Sequence, residues 1–192
     1  MTRIIAGFAG SLALVVPDAG TRPTSDRVRE AIFSALEARD PISGARVVDL
    51  YAGSGALGLE ATSRGAASVT LVERSATAAK ACRDNAERVR KNAPKGGSPE
   101  ITVSGQPVQA FLNSSRATWD LALIDPPYEL GESELHQALA SLVPHLAPDA
   151  VVVLERSSKS PEPLWPEGVS LDRRKDYGDT TLWWARATGA TG

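Results

Sequence analysis

Two short segments of the chain carry residue types suited to ligand binding and polar chemistry. The first is a glycine loop with the spacing G-x-G-x-x-G at Gly53, Gly55 and Gly58. Glycine lets a backbone turn tightly and approach a ligand closely. The second is the run Asp-Pro-Pro-Tyr at 125–128, where two prolines stiffen the chain and remove backbone donors. Such a loop can present a carboxylate, a carbonyl and an aromatic ring to a cleft, although a plain proline turn would share its spacing.

Two acidic residues near the glycine loop narrow the choice of ligand. Glu73 ends the next apolar run, where a carboxylate can accept hydrogen bonds from ribose hydroxyls. Asp49 stands just before the loop, where it would repel the pyrophosphate of a dinucleotide but would suit a cationic group. S-adenosylmethionine has an ammonium and a sulfonium and lacks phosphate. The pattern therefore favours this cofactor; the alternatives are a glycine turn that only packs and an Asp49 that only holds the loop.

These residues need a scaffold that brings strand ends together. Apolar runs alternate with helical stripes, which indicates a parallel sheet with helices on both faces, and ligands of such sheets bind beyond the carboxyl ends of the strands. We predict strands at 45–51, 68–73, 101–103, 121–124, 151–155, 170–174 and 180–185, the last two as an antiparallel pair. We predict intervening helices at 55–64, 76–92, 108–113 and 135–146.

A glycine-rich segment and a further helix precede this alternation. Residues 4–5 and 12–16 have the composition of two short strands, which predicts an N-terminal β-hairpin. Thr24 or Ser25 can cap a helix whose apolar stripe runs over 28–36. We divide the chain into an N-terminal hairpin and helix (1–40), a cofactor-binding domain (41–187) and a loose tail (188–192).

The composition is that of an ordinary globular protein. The chain has 192 residues, of which 42% are apolar and 23% charged, with a net charge of −2. These values fit one domain, and nucleic-acid binding would need a local basic patch. The single cysteine, Cys82, favours a reducing compartment, and no run approaches the ~18 apolar residues of a membrane span. The uncharged run after Arg3 loosely resembles a signal peptide, but Gly7 and Gly10 interrupt it, so we expect a cytoplasmic protein.

The motifs together resemble a known class of enzymes. Residues 49–55 (Asp-Leu-Tyr-Ala-Gly-Ser-Gly) and 125–128 resemble a class I S-adenosylmethionine-dependent methyltransferase that acts on an exocyclic amine. Two further segments resemble the RsmD family, which are bacterial methyltransferases for guanine N2 in 16S ribosomal RNA. They are Arg-Ile-Ile-Ala-Gly at 3–7 and the run from Thr-Arg-Pro-Thr-Ser-Asp to Ala-Ile-Phe at 21–33. The resemblance covers nearly the whole chain. It implies a Rossmann-like α/β fold with a mostly parallel seven-stranded sheet, helices on both faces and an antiparallel last strand.

The resemblance also implies the residues of each part of the site. The cofactor would be bound by Asp49, Tyr51, Ala52, Gly53, Ser54, Gly55, Leu57, Gly58, Glu73, Arg74, Gln106, Pro107 and Asp125. The reacting amine would be held by Asp125, Pro126, Pro127 and Tyr128. Substrate RNA would contact Arg22, Thr24, Arg27 and Arg29. No metal is needed in this scheme.

The chemistry expected of these groups is amine activation. A guanine amine is a poor nucleophile because its lone pair is delocalised into the ring. Acceptance of its hydrogens by the Asp125 carboxylate and the Pro126 carbonyl would favour a free lone pair, and Tyr128 would stack on the extruded base.

Two positions depart from the family's usual pattern. Family members commonly have basic residues near 11–13, where this chain has Ser-Leu-Ala. They tend to have Asp or Asn where Pro107 stands, opposite the adenine amine. Proline has no side-chain acceptor, so Gln106 or a backbone carbonyl would have to meet that amine.

The expected function is methylation of guanine N2 in 16S ribosomal RNA, by a monomer that meets the small ribosomal subunit or an assembly intermediate. A second basic stretch at 74–95 is either a further RNA contact or a solvated helix face. Three other functions stay open. They are methylation of an amine in DNA or protein glutamine, an NAD-dependent oxidoreductase (disfavoured by Asp49) and a non-catalytic ribosome-assembly factor.

Overall fold

A computed structural model describes residues 1–18, 24–39 and 42–189. The helices are α1 (Asp26–Arg39), α2 (Ala56–Ser63), α3 (Ala76–Lys91), α4 (Val108–Ser114) and α5 (Glu132–Leu142), which a 3₁₀ turn (Val143–His145) follows. The strands are β1 (Arg46–Leu50), β2 (Ser68–Val72), β3 (Glu100–Ser104), β4 (Trp119–Ile124), β5 (Leu146–Ser157), β6 (Val169–Tyr177) and β7 (Thr180–Ala187).

The seven strands form one sheet in the order β3-β2-β1-β4-β5-β7-β6. Neighbours from β3 to β5 pair in parallel, and β7 is antiparallel to both β5 and β6. The chain first builds outwards from β1 to β3 and then returns to place β4 on the other side of β1. This reversal makes the carboxyl ends of β1 and β4 a topological switch point, where ligands of such folds bind. The predicted Rossmann-like sheet with an antiparallel last strand is confirmed.

Alternating side chains of the strands divide the core into two layers. Val47 and Leu123 belong to a hydrophobic cluster that includes residues of α1, α2 and α3. Val48 and Ile124 belong to a second cluster that includes residues of α4 and α5. Ile4 of the N-terminal segment joins the first cluster, so this segment shares its core with the sheet.

The structure corrects several predicted boundaries. The predicted N-terminal hairpin is present but short: one antiparallel bridge joins Arg3 and Ala13, and Ile4 N donates to Leu12 O and Leu14 N to Thr2 O, both at 2.9 Å. The helix predicted to reach residue 146 ends at Leu142, because Pro144 has no N–H to continue it. Ser25 caps α1 by accepting from Val28 N at 3.2 Å.

Other changes concern the ends of the chain and the strands. Strand β5 spans Leu146–Ser157 instead of the predicted 151–155. At the predicted tail, Thr188 N donates to Gly168 O at 3.0 Å, and residues 190–192 lie outside the described residues. Within the described ranges no helix is long and apolar enough to cross a membrane.

The N-terminal segment is fastened to α2 by backbone contacts that need a glycine. Phe8 N donates to Ser63 O at 3.0 Å, and Gly7 has φ +82°. A Cβ on Gly7 would lie 1.9 Å from the Ser63 carbonyl oxygen. Glu60 of α2 also accepts from the N–H groups of Ile5 and Ala6, at 2.7 and 3.0 Å. The N-terminal residues therefore pack against α2 in one specific arrangement.

Two glycines, Gly7 and Gly96, form a matched pair that tests this packing. Gly96 has a similar φ of +85°, but a Cβ there would meet nothing within 4 Å. Both Gly7→Ala and Gly96→Ala carry the backbone penalty of a left-handed conformation, about 1–2 kcal/mol. We expect Gly7→Ala to lower the free energy of unfolding by a further ~1–3 kcal/mol, because its methyl group overpacks the contact. Urea denaturation of both variants measures the difference, and equal losses would contradict the close approach.

Candidate active site

A cavity of about 840 Å³ opens at the carboxyl ends of β1 and β4. The glycine loop after β1 lines one side and the Asp-Pro-Pro-Tyr loop after β4 lines the other. Val16 and Thr24 bring the N-terminal segment to its rim, and Tyr177 and Thr180 bring the β6–β7 hairpin. The cavity thus lies at the switch point, and the two motifs found in the sequence share it.

The glycine loop is held by the carboxylate that follows β2. Glu73 Oε2 accepts from Gly53 N at 2.9 Å, and its Oε1 accepts from Ser75 N at 2.8 Å. Each carboxylate oxygen can accept more than one hydrogen bond, so both retain capacity for hydroxyl groups in the cavity. Glu73 therefore both anchors the loop and faces the cavity that the loop encloses.

Helix α3 fixes the same loop from behind. Cys82 Sγ lies 3.0 Å from Gly53 O, and burial raises the pKa of this thiol, which favours its protonated, hydrogen-donating form. Asn85, fully buried, donates to Ser54 O at 2.9 Å and to Val15 O at 2.8 Å, and it accepts from Val15 N. One amide therefore ties the glycine loop to the N-terminal segment.

Two of the motif's glycines serve packing. A Cβ on Gly58 would lie 2.3 Å from Leu71 Cδ2, and one on Gly55 would lie 2.9 Å from Leu71 Cδ1. Gly55 also begins α2 with φ +83°. Neither glycine lines the cavity, so they contribute to a cofactor site only by allowing α2 to pack closely against β2.

Asp49 serves the loop and also keeps an oxygen without a partner. The side chain is 1% exposed, and its Oδ2 accepts from Gly58 N at 2.9 Å. Its Oδ1 is buried with no hydrogen-bond partner among the described residues. Burial raises the pKa of Asp49 to about 8, and the nearby carboxylates of Asp125 and Glu73 add to the rise. A bound cation or hydrogen donor would satisfy this oxygen, so the residue fits the cationic end of S-adenosylmethionine.

Most of the predicted cofactor residues line the cavity. They are Asp49, Tyr51, Ala52, Gly53, Ser54, Leu57, Glu73, Arg74, Pro107 and Asp125. Gln106 does not line it: its side chain is exposed and donates to Ser104 Oγ at 2.9 Å. Of the two predicted partners for an adenine amine, the backbone beside Pro107 is therefore the better placed. Gln109, which the sequence analysis missed, also lines this wall.

All four residues of the Asp-Pro-Pro-Tyr loop line the cavity. Pro126 is buried, and Pro127 O accepts from Leu130 N at 3.0 Å, which closes a turn. Tyr128 stands at the mouth with 55% of its surface exposed. An exposed ring beside the partly buried carboxylate of Asp125 is suited to stacking on a flat group that enters the cavity.

Asp125 belongs to a polar cluster that sequence reasoning did not find. Thr24 Oγ1 lies 2.5 Å from Asp125 Oδ2 and 3.0 Å from Glu155 Oε2. Burial raises the pKa of Asp125 to about 6 and that of Glu155 to about 8, where the charge of Asp125 adds to the effect. The signal for Glu155 was its place at the carboxyl end of the strand predicted at 151–155.

The predicted RNA contacts separate into different environments. The prediction for Arg29 is wrong: the side chain is 0% exposed and donates to Arg3 O at 2.9 Å and to Asp26 Oδ1 at 2.5 Å. Thr24 faces the cavity, where its hydroxyl contacts the two carboxylates. Arg27 is exposed, and Arg22 lies outside the described residues.

Arg27 lines a second concavity, of about 500 Å³, between α1 and β6. Arg173 and Lys175 line it from the edge strand, and the Arg173 guanidinium lies 4.4 Å from the centre of the Trp184 ring. Tyr177 lines both this groove and the main cavity. We call this surface the α1–β6 groove; its lining has three basic side chains and one acidic one, Glu30, and it shares Tyr177 with the active-site cavity.

In the other basic stretch, at 74–95, three of the seven basic residues (Lys80, Arg90 and Lys91) form ion pairs with acidic residues of α3. Lys80 Nζ lies 2.7 Å from Asp84, and Lys91 Nζ lies 3.8 Å from Glu87. Arg90 donates to Ile101 O in the neighbouring strand. These contacts favour the solvated helix face over a further RNA contact. In the part of the chain that is described, no cluster of three or more His, Cys, Asp or Glu side chains could hold a metal ion.

Comparisons with known proteins agree with this architecture. A profile of the family described as "Conserved hypothetical protein 95" matches residues 2–186. Ribosomal RNA small subunit methyltransferase D of Escherichia coli (strain K12) is 36% identical over 179 residues, which cover 92% of this chain and 85% of that protein. The protein of the same name from Haemophilus influenzae is 33% identical over 181 residues, covering 92% and 89%.

The likeness extends to three dimensions. A solved Escherichia coli structure described as the methyltransferase yhhF has a TM-score of 0.81 at 30% identity, and the match covers 97% of this chain and 98% of that one. The family profile, the two relatives and the solved structure each cover most of the chain. The chain therefore belongs to the RsmD family of methyltransferases.

Proposed function

We propose that this protein is an S-adenosylmethionine-dependent methyltransferase that methylates the exocyclic N2 amine of a guanine in small-subunit ribosomal RNA. The observation that carries the proposal is that one cavity is lined by two features. One is the glycine loop, of a kind that binds nucleoside-containing cofactors, and the other is the Asp125 carboxylate with the exposed ring of Tyr128. Relatives over most of the chain are named ribosomal RNA small subunit methyltransferase D. We place the reaction in the cytoplasm, on the small subunit or an assembly intermediate.

The cavity offers a partner for each polar part of the cofactor. S-adenosylmethionine supplies an electrophilic methyl group on a sulfonium. The unpartnered Oδ1 of Asp49 suits a cationic group, and the Glu73 carboxylate suits ribose hydroxyls. Binding of a cation beside Asp49 would be favourable, because the cation supplies the partner that this buried oxygen lacks.

Removal of the Glu73 carboxylate tests the cofactor site. A hydrogen bond to a charged acceptor is worth ~1.5–3 kcal/mol, so Glu73→Ala should weaken S-adenosylmethionine binding about tenfold or more. Glu100→Ala is the matched control, because Glu100 is exposed at the opposite end of the next strand. Calorimetric titration measures both, and thermal melting checks that the loop anchored by Glu73 survives. Equal affinities in the two variants would remove Glu73 from the site.

Asp125 is suited to accept from the reacting amine. With a pKa of about 6 it is largely ionised at neutral pH. An amine nitrogen that gains a methyl group must lose a proton, and an acceptor on its hydrogens increases its lone-pair character. Pro126 O can accept a second hydrogen, and Tyr128 can hold the flat base. Alignment of the nitrogen with the methyl group then supplies the orientation part of catalysis.

Single-turnover methyl transfer to unmodified small subunits, followed by mass mapping of the nucleosides, tests the function. Loss of a preorganised polar group at the reacting centre costs ~10²–10³ in rate, so Asp125→Ala should abolish most turnover yet leave S-adenosylmethionine affinity within a few-fold. Asp84→Ala, on the exposed face of α3, is the control. A methylated guanine N2 is the expected product. Methyl transfer to DNA or protein glutamine alone would overturn the substrate, and an inactive wild-type protein that still binds subunits would favour an assembly factor.

The ring of Tyr128 is tested separately. Base–aromatic stacking is worth ~1–3 kcal/mol, so Tyr128→Ala should weaken substrate docking about tenfold or more while Tyr128→Phe is much milder. The same assay measures both over a range of subunit concentrations. If Tyr128→Phe is as damaging as Tyr128→Ala, the hydroxyl matters and stacking is the wrong explanation.

The α1–β6 groove supports an RNA substrate despite the net charge of −2. Its basic side chains, Arg27, Arg173 and Lys175, can contact phosphates, and Tyr177 links the groove to the cavity. Binding to phosphates releases counterions, so affinity that depends on these residues falls with salt. The groove is thus suited to hold the backbone of an RNA whose base enters the cavity.

Neutralisation of the groove tests this path. The double variant Arg27→Gln, Lys175→Gln should weaken subunit binding and reduce the slope of log affinity against log salt by about 1 for each lost phosphate contact. Lys80→Gln, Lys91→Gln on α3 removes the same charge from residues that are paired with Asp84 and Glu87. Binding measured over a salt series distinguishes them. An unchanged slope in the groove variant would indicate that the RNA backbone binds elsewhere on the protein.

A further inference from the structure

We infer that Thr24 and Glu155 position the Asp125 carboxylate for catalysis: Glu155 is a neutral acid that donates to the Thr24 hydroxyl, which in turn donates to Asp125. This arrangement gives the N-terminal segment a part in the chemistry of the cavity. The inference about protonation rests on the geometry of the free protein, and its catalytic consequence rests on the proposed function.

The hydrogen count of the cluster carries the argument. The Thr24 hydroxyl has one hydrogen, yet its oxygen lies 2.5 Å from Asp125 Oδ2 and 3.0 Å from Glu155 Oε2. If both carboxylates were ionised, one of these pairs would be two acceptors in contact with no hydrogen between them. A proton on one carboxyl group removes the conflict, because that group can donate to the threonine oxygen.

Distance and burial place the proton on Glu155. An O–H···O⁻ bond to an ionised acceptor is short, about 2.5–2.7 Å, which matches the bond to Asp125 and not the one to Glu155. Burial raises the pKa of both carboxyl groups, and the charge of Asp125 raises that of Glu155 further. The short bond marks Asp125 as the ionised member of the pair, so the proton belongs to Glu155.

The surroundings add negative charge more than they relieve it. The other titratable groups that line the same cavity are Asp49, Tyr51, Glu73, Arg74, Tyr128, Glu129, Glu134, Tyr177 and Asp179. The cation next to Glu155 in sequence, Arg156, is bonded to Glu132 at 2.7 Å and to Leu130 O at 3.0 Å. A second ionised carboxylate beside Asp125 would thus be poorly compensated, and protonation of Glu155 avoids it.

The consequence for catalysis is a fixed acceptor. Thr24 occupies Oδ2 of Asp125, so Oδ1 can take a hydrogen from the amine. A carboxylate tied at one oxygen has less freedom to rotate, and a preorganised acceptor is the kind that lowers a barrier. Above the pKa of Glu155 the single hydroxyl hydrogen would be contested, and Asp125 would lose this support.

The protonation state can be measured without substrate. Carboxyl ¹³C NMR of glutamate-labelled protein should give one glutamate signal that titrates near pH 8, and Glu155→Gln should remove that signal. An ordinary glutamate titrates near about 4.3. If Glu155 titrates there, the inference is overturned whatever the enzyme methylates, so this result is distinct from a failure of the proposed function.

Conservative and non-conservative variants test the positioning role. Gln at 155 can still donate to Thr24, so Glu155→Gln should retain turnover within about threefold at pH 7, whereas Glu155→Met should lose about tenfold or more. Thr24→Ser should likewise retain turnover and Thr24→Val should lose it, with kcat affected and KM for subunits little changed. Thermal melting verifies that all four variants are folded.

The pH profile separates this role from a merely structural one. Wild-type kcat should fall above about pH 8, and Glu155→Gln should lack that additional fall because it has nothing to ionise. The same alkaline limb in both proteins would overturn the inference. So would a Thr24→Val variant in which only KM changes, since that result would make Thr24 an RNA contact.

Discussion

The site depends on one electrostatic constraint: four carboxyl groups must share one edge of a parallel sheet. In sheet order, the ends of β2, β1, β4 and β5 carry Glu73, Asp49, Asp125 and Glu155. Buried like charges are costly, so each group needs its own compensation. Backbone N–H groups compensate Glu73 and Asp49, and Thr24 compensates Asp125. The glycine loop, the start of α2 and the N-terminal segment are where they are because these donors have to reach the strand ends.

The N-terminal segment completes the cavity, and buried polar contacts hold it there. Asn85 joins Val15 to the glycine loop, and Glu60 accepts from the backbone of residues 5 and 6. The fully buried Arg29 lies near Glu60, with 3.9 Å between Arg29 Nη1 and Glu60 Oε2. Removal of either partner of such a pair would leave an uncompensated buried charge. A segment that looks like an appendage in the sequence is therefore part of the site's foundation.

Local patterns predicted the fold and the cavity well, because alternating strands and helices leave few topologies open. They failed where a residue's role depends on partners distant in sequence. Arg29 is of a residue type that often contacts RNA, but its side chain is buried and donates hydrogen bonds to Asp26 and to the Arg3 carbonyl. Thr24 lies 131 positions from Glu155, and no spacing rule joins them. The hairpin is shorter than predicted: its two arms bond to each other, but the N–H groups of Ile5 and Ala6 bond to Glu60 of α2.

The distribution of charge explains how a net acidic chain can work on a polyanion. The cavity wall carries four carboxyl groups, and those that are ionised repel phosphate, whereas a neutral base and a cationic donor can enter. The α1–β6 groove carries the basic side chains, and Tyr177 lies where the two surfaces meet. Under the proposed function, an RNA strand therefore lowers its electrostatic energy by leaving its phosphates in the groove and sending only the base inward. Under the same proposal this separation of charge favours the extruded nucleotide over the stacked one, because extrusion is the arrangement that satisfies both surfaces.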